Sequence, residues 1–105
     1  MNDTVKWAEY EFMVFTPDVK WNDVGGIYIF CGKVNVNGQL LWNPLYIGQA
    51  QSFAARLSGH DRWQEAVKLG ATHIHAMVVQ QEANRDKIEA YLVEKWKPPL
   101  NTHLK

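Results

Sequence analysis

Apolar and aromatic residues fill residues 10–15 (YEFMVF), a run of strand length, and Thr16-Pro17-Asp18 closes it. After Gly25-Gly26, residues 27–33 (IYIFCGK) read as a second strand. Residues 35–38 (NVNG) end in Asn-Gly, the pair that most readily supplies the two positive φ angles of a type I′ hairpin turn. Residues 40–42 continue the return strand, and Pro44 is expected to break or bulge it before Leu45-Tyr46-Ile47, because proline donates no ladder hydrogen bond. The expectation is an antiparallel hairpin with a wide, irregular tip.

Beyond Gly48 the hydrophobic period lengthens towards that of a helix. Phe53, Leu57 and the neighbouring alanines suit a short helix capped by Ser52. Asp61 is expected to cap a second helix carrying Trp63, Ala66, Val67 and Leu69, with Gly70 as its C-cap. Residues 72–80 (THIHAMVVQ) alternate and read as a strand. Ile88, Tyr91, Leu92 and Trp96 form one stripe of a last helix that starts near Asn84 and stops at Pro98-Pro99. The predicted fold class is α+β, a small antiparallel β-sheet flanked by helices. One domain is expected over residues 1–105, with its motif-bearing core over about residues 24–101.

Composition narrows the classes. Hydrophobic residues make up 47% of 105, and five Trp, four Tyr and four Phe supply one core without metals or disulfides. Cys31 is the only cysteine, so no internal disulfide forms. No stretch reaches the ~20 apolar residues of a membrane span, and the opening MNDTVKWAEYEF has no apolar run of signal-peptide length. A soluble, cytoplasmic protein without a membrane role is expected. Eleven basic and eleven acidic residues cancel, which argues against strong sequence-independent affinity for nucleic acid. Any such role must rest on a local site.

Two tripeptides flank the hairpin, Gly26-Ile27-Tyr28 and Tyr46-Ile47-Gly48. On paired strands they can set two phenols side by side, since cross-strand neighbours lie about 5 Å apart. Arg56 comes ten residues after Tyr46 and His60 four after that; Glu89 precedes Pro98 by nine and Asn101 by twelve. In these residues the chain resembles the GIY-YIG nuclease family, over about residues 24–101. The resemblance implies that Arg56 contacts phosphate from the first helix, and that His60 matches a histidine found in part of the family. It implies further that Glu89 is the metal ligand and that Pro98 and Asn101 belong to a C-terminal signature. Tyr28, Tyr46, Arg56, His60 and Glu89 are therefore the catalytic candidates, with Gly26, Gly48, Gln49 and Asn101 as structural or substrate-side residues. Two features depart from the family pattern. Gln49 stands where many members carry a lysine able to activate the tyrosine, and the stretch from Tyr28 to Tyr46 is longer than the usual hairpin.

The chemistry is coherent on its own terms. Phosphodiester hydrolysis needs a positioned water, a base, and cations for the charge that builds on phosphate oxygens. Glu89 is an oxygen ligand suited to Mg²⁺ (or Mn²⁺), and Arg56 has the planar fork that grips phosphate. The base is Tyr28 or His60: a phenol with pKa near 10 needs help at neutral pH, whereas an imidazole does not. The expected activity is a divalent-metal-dependent endonuclease acting on nucleic acid, DNA foremost. The alternative is a weak or inactive binding module, or a subunit whose homodimer or protein partner supplies DNA-binding surface. His73 and His75 share a strand face at a spacing compatible with a metal pair, but read better as ordinary strand residues. Trp42 and Trp63 are the tryptophans expected to flank the cleft.

Overall fold

The computed structural model describes residues 3–101. Five strands form one sheet: β1 (Thr4–Trp7), β2 (Tyr10–Phe15), β3 (Gly26–Val36), β4 (Gln39–Ala50) and β5 (His73–Val78). Their order across the sheet is β1-β2-β5-β3-β4, and every pairing is antiparallel. Helices α1 (Phe53–Leu57), α2 (Asp61–Lys68) and α3 (Glu82–Trp96) and a 3₁₀ turn (Pro99–Asn101) complete the fold. The α+β expectation is met; β1, paired to β2 through Thr4↔Met13 and Trp7↔Tyr10, is an additional strand.

The hairpin is more regular than its sequence suggests. Asn37 and Gly38 take φ of 53° and 84°, as the Asn-Gly turn requires, and the ladder is paired down to Val36↔Gln39, so the tip is neither wide nor irregular. At Pro44 the strand bulges rather than breaks, one of the two outcomes expected. Register jumps from Phe30↔Tyr46 to Cys31↔Pro44, so Leu45 is the extra residue of a bulge. That extra residue lets Leu45 and Tyr46 pack on the same cluster, where alternation alone would have sent them to opposite faces. Because β5 pairs with β3 only over Gly26–Cys31, residues 32–43 project past the sheet as a two-stranded ribbon.

Alternation along the central strand builds two cores. Tyr28 and Phe30 join Ile74, Ala76, Phe53 and Ala66 on the face covered by α1 and α2. Ile27, Ile29 and Cys31 join Trp7, Phe12, Ile47 and Leu92 on the face covered by α3. Trp42 belongs to this second face, its ring 4.5 Å from His75 and 5.1 Å from His73, so it does not flank the tyrosines. Helix boundaries shift in two places. His60, not Asp61, caps α2, its side chain accepting from the Arg62 N–H, and α3 begins at Glu82, two residues before Asn84. Tyr91 is 44% exposed, leaving the buried stripe, while Arg85 is buried and donates to the carbonyls of Val79 and Gln80. Among the described residues no helix is long and apolar enough to cross a membrane.

Candidate active site

The tyrosines of the two tripeptides meet diagonally rather than directly. Tyr28 lies opposite Gly48, and Tyr46 opposite Phe30; the two phenol rings have centroids 6.2 Å apart. Gly48 is the reason Tyr28 fits. A Cβ at position 48 would sit 2.5 Å from the Tyr28 hydroxyl oxygen, so the phenol lies across the bare glycine. Gly26 is just as constrained, because its Cβ would sit 2.6 Å from the Phe53 ring and collide with the Met77 carbonyl.

His60 closes over this pair. Its Nε2 lies 2.7 Å from the Tyr28 hydroxyl, and its ring is edge-on to Tyr28, Phe30 and Tyr46. Its other nitrogen, Nδ1, accepts the Arg62 N–H at 3.0 Å as the cap of α2. An acceptor at Nδ1 fixes the tautomer: the neutral ring carries its proton on Nε2 and donates it to Tyr28. Burial, reinforced by the Arg56 charge, pushes the His60 pKa down to about 4, so the ring is neutral at ordinary pH.

Tyr28 is buried, and desolvation raises its pKa well above the usual phenol value, with Tyr46 adding to the rise. Arg56 pulls the other way through its charge and hydrogen bonding, and Glu89 opposes it weakly. Tyr46 is half-buried and also raised, first by desolvation. Arg56 lies in the last turn of α1, and its 3.7 Å contact with Asp61 joins two well-exposed groups, a pairing of little strength. Its guanidinium therefore stays available to an anion. Together with Gln49 and Ser52 it lines an open trough of about 550 Å³.

Glu89 stands on α3, across the β4 edge from the phenols, and both tyrosines feel its charge. Gln49 Nε2 donates to Glu89 Oε1 and to Asp86 Oδ1, each at 2.7 Å. Residue 49 thus turns towards the α3 carboxylates. Asp86, one helical turn before Glu89, was not among the sequence candidates, although its i,i+3 spacing places it on the same helix face. No group of three or more His, Cys, Asp or Glu able to hold a metal occurs among the described residues. The available donor set centres on one half-buried carboxylate, which suits Mg²⁺, an ion that keeps several waters and takes one or two carboxylates. Asn101 lies at the same edge: Ile47 N–H donates to its Oδ1 at 2.8 Å, and its Nδ2 donates to the Ile47 carbonyl at 2.9 Å. His73 and His75 are engaged separately, with the Thr72 hydroxyl and the Trp7 indole.

No family model matches the chain, and no curated protein does either. Solved structures do. One is the GIY-YIG N-terminal endonuclease domain of UvrC from Thermotoga maritima bound to its catalytic divalent cation, magnesium. It is 26% identical, with a TM-score of 0.59, over 78% of this chain and 88% of that one. A point mutant of the same domain, also bound to its catalytic divalent cation, is 25% identical, with a TM-score of 0.60 over 79% and 88%.

Proposed function

This chain has the GIY-YIG nuclease-domain fold, and from that premise we propose that it is a divalent-metal-dependent endonuclease hydrolysing phosphodiester bonds in DNA. The observation that carries the reading is the convergence on one phenol. The Tyr28 hydroxyl meets His60 Nε2 at 2.7 Å, with Arg56 and Glu89 close enough to act on it electrostatically.

The roles follow from protonation. His60 presents a proton to Tyr28 and so cannot take one at Nε2; it is a positioning residue. Tyr28 is then the base. Burial and the neighbouring Tyr46 keep its pKa raised even though the Arg56 cation opposes them. Base action therefore needs further positive charge at the site, which the divalent cation would supply, with the His60 Nε2–H as a hydrogen-bond donor to the phenolate. Arg56 also binds the phosphate and meets the charge that grows in the transition state. Tyr46 orients the water or a phosphate oxygen. Glu89 would hold the divalent cation, which would supply positive charge at the leaving oxygen. The zero formal charge makes a second copy or a protein partner a natural source of further DNA-binding surface, at work in the cytoplasm.

Supercoiled plasmid should be nicked in Mg²⁺ or Mn²⁺, and EDTA or Glu89→Ala should abolish nicking. A preparation inert towards duplex, branched and single-stranded DNA in both metals sinks the proposal. One observation favours the rival reading, a catalytically weak binding module: Glu89 Oε1 is already occupied by Gln49. That reading requires DNA binding that survives Glu89→Ala, with no nicking in the parent protein.

A further inference from the structure

α1 and α2 cover the face of the sheet that carries Tyr28 as far as Ile74 and Ala76 of β5, but Met13 of β2 and Val78 of β5 stay exposed beyond them. There the segment 19–24 stands as a wall over Met13, Phe15, Ala76 and Val78 and leaves a cavity of about 460 Å³. That volume falls within the roughly 300–1,000 Å³ of small-ligand pockets. Its inner side is aromatic. Trp21 lies between Phe15 and Phe53, with ring centroids at 5.0 and 5.6 Å. Glu11, Lys20 and Asn22 also line it, and none of their side chains has a hydrogen bond or ion pair among the described residues. One carboxylate, one ammonium and one amide around an apolar, aromatic floor suit a neutral, flat group with donors and acceptors on its rim.

The cavity is tied to the candidate active site by covalent and hydrogen-bonded structure. Phe53 N–H donates to the Val24 carbonyl at 2.8 Å and Ala54 N–H to the Asn22 carbonyl at 3.1 Å, fastening the wall to the start of α1. Phe53 lines the cavity, and Arg56 stands three residues further along the same helix, an axial rise of about 4.5 Å. Arg56 lines its trough together with Asp23, whose chain neighbours Asn22 and Val24 line the cavity, so the two hollows border one short segment.

We propose that this cavity takes one unpaired nucleobase of the nucleic acid bound at Arg56, a role that rests on the nuclease reading above. Stacking then supplies the affinity that a chain of zero net charge does not gain from phosphates. The favoured substrate is one in which a base beside the cleaved bond is free of its partner.

The test compares a perfect duplex, the same duplex with one bulged nucleotide, and that bulge made abasic, by fluorescence anisotropy in Ca²⁺ and by nicking in Mg²⁺. The bulged duplex should bind about tenfold more tightly than the other two. Trp21→Leu should remove that gain and leave perfect-duplex affinity unchanged. Val78 is 57% exposed, so Val78→Glu puts a carboxylate in the cavity without touching the core and should do the same. Nicking without any bulge preference overturns the cavity proposal and leaves the nuclease reading standing. Base-dependent binding without nicking in either metal upholds the cavity and overturns the nuclease. An equal gain from the abasic bulge, or a gain untouched by both substitutions, overturns the cavity proposal. So does displacement of a cavity-bound dansyl probe by an apolar peptide but not by adenosine monophosphate, an outcome that assigns the cavity to a protein segment.

Discussion

The close approach of Tyr28 to Gly48 gives a perturbation whose cost can be worked out. In Gly48→Ala the new methyl would lie 2.5 Å from the Tyr28 hydroxyl oxygen and 2.6 Å from Cζ. β3 is held on both sides, by β4 and β5, and β4 is pinned on its outer side at Ile47 by Asn101. The Tyr28 ring is flanked by Phe30, Tyr46 and His60, so retreat of either strand or ring disturbs other contacts. Overpacking of this kind costs about 1–3 kcal/mol. Displacing the hydroxyl from His60 adds roughly 1 kcal/mol, and the lower entropy of unfolded alanine offsets about 0.5–1 kcal/mol. The net loss is about 2 kcal/mol, a fall of about 1 M in the urea midpoint. Tyr28→Leu removes the clashing atoms, so in that background Gly48→Ala should cost nothing or stabilise slightly. The assay is a double-mutant cycle by urea denaturation, with nicking measured alongside on Gly48→Ala, which should lose activity as the phenol is displaced. A penalty of the same size in both backgrounds, or none in the parent, refutes the steric argument.

Three further outcomes are expected. Burial pushes the His75 pKa down to about 4 from an ordinary 6.5, so between those values the unfolded chain binds more protons; stability should fall as pH drops from about 6.5 to about 4 and level off below. The His75 share is at most about 3 kcal/mol; His60 shifts in the same direction, and His75→Gln, which keeps an acceptor for Trp7, should remove part of the slope in urea melts at stepped pH, an unchanged slope refuting the assignment. Asn101→Ala deletes two hydrogen bonds to Ile47 and should lower the unfolding free energy by about 1–3 kcal/mol, whereas a shift within error would make the contact incidental. Ala8 holds φ of 60° in the β1–β2 turn, so Ala8→Gly should raise the melting temperature by a few degrees through relief of about 0.5 kcal/mol, and a lower melting temperature would contradict the strain.

What the sequence made legible was local. Asn37-Gly38 specified its turn, Ser52 its cap, and the two tripeptides their strands, because each depends on neighbours a few residues away. What it hid depends on contacts between distant segments. β1 has four residues and a turn at Ala8 with no glycine, and Trp7 is held by a hydrogen bond to His75, 68 residues away. His60 was legible as a candidate but not as a helix cap, so the tautomer on which the proposed roles of Tyr28 and His60 rest needed coordinates. Pro44 allowed either a break or a bulge, and only coordinates could choose: one bulged residue, Leu45, absorbs the misfit. Gln49 looked like a missing activator of tyrosine, yet its side chain is spent on Asp86 and Glu89.

Asn101 has a consequence beyond the stability it confers. β4 is an edge strand, and such edges offer unpaired N–H and C=O groups to any passing chain. The Asn101 side chain engages the Ile47 N–H and C=O as a neighbouring peptide unit would, so the amide is a sixth strand one residue long. It ends the sheet beside Tyr46 and Gly48 without the bulk of a real strand. The edge is thus closed to another protein's backbone at the point where the candidate site opens to solvent.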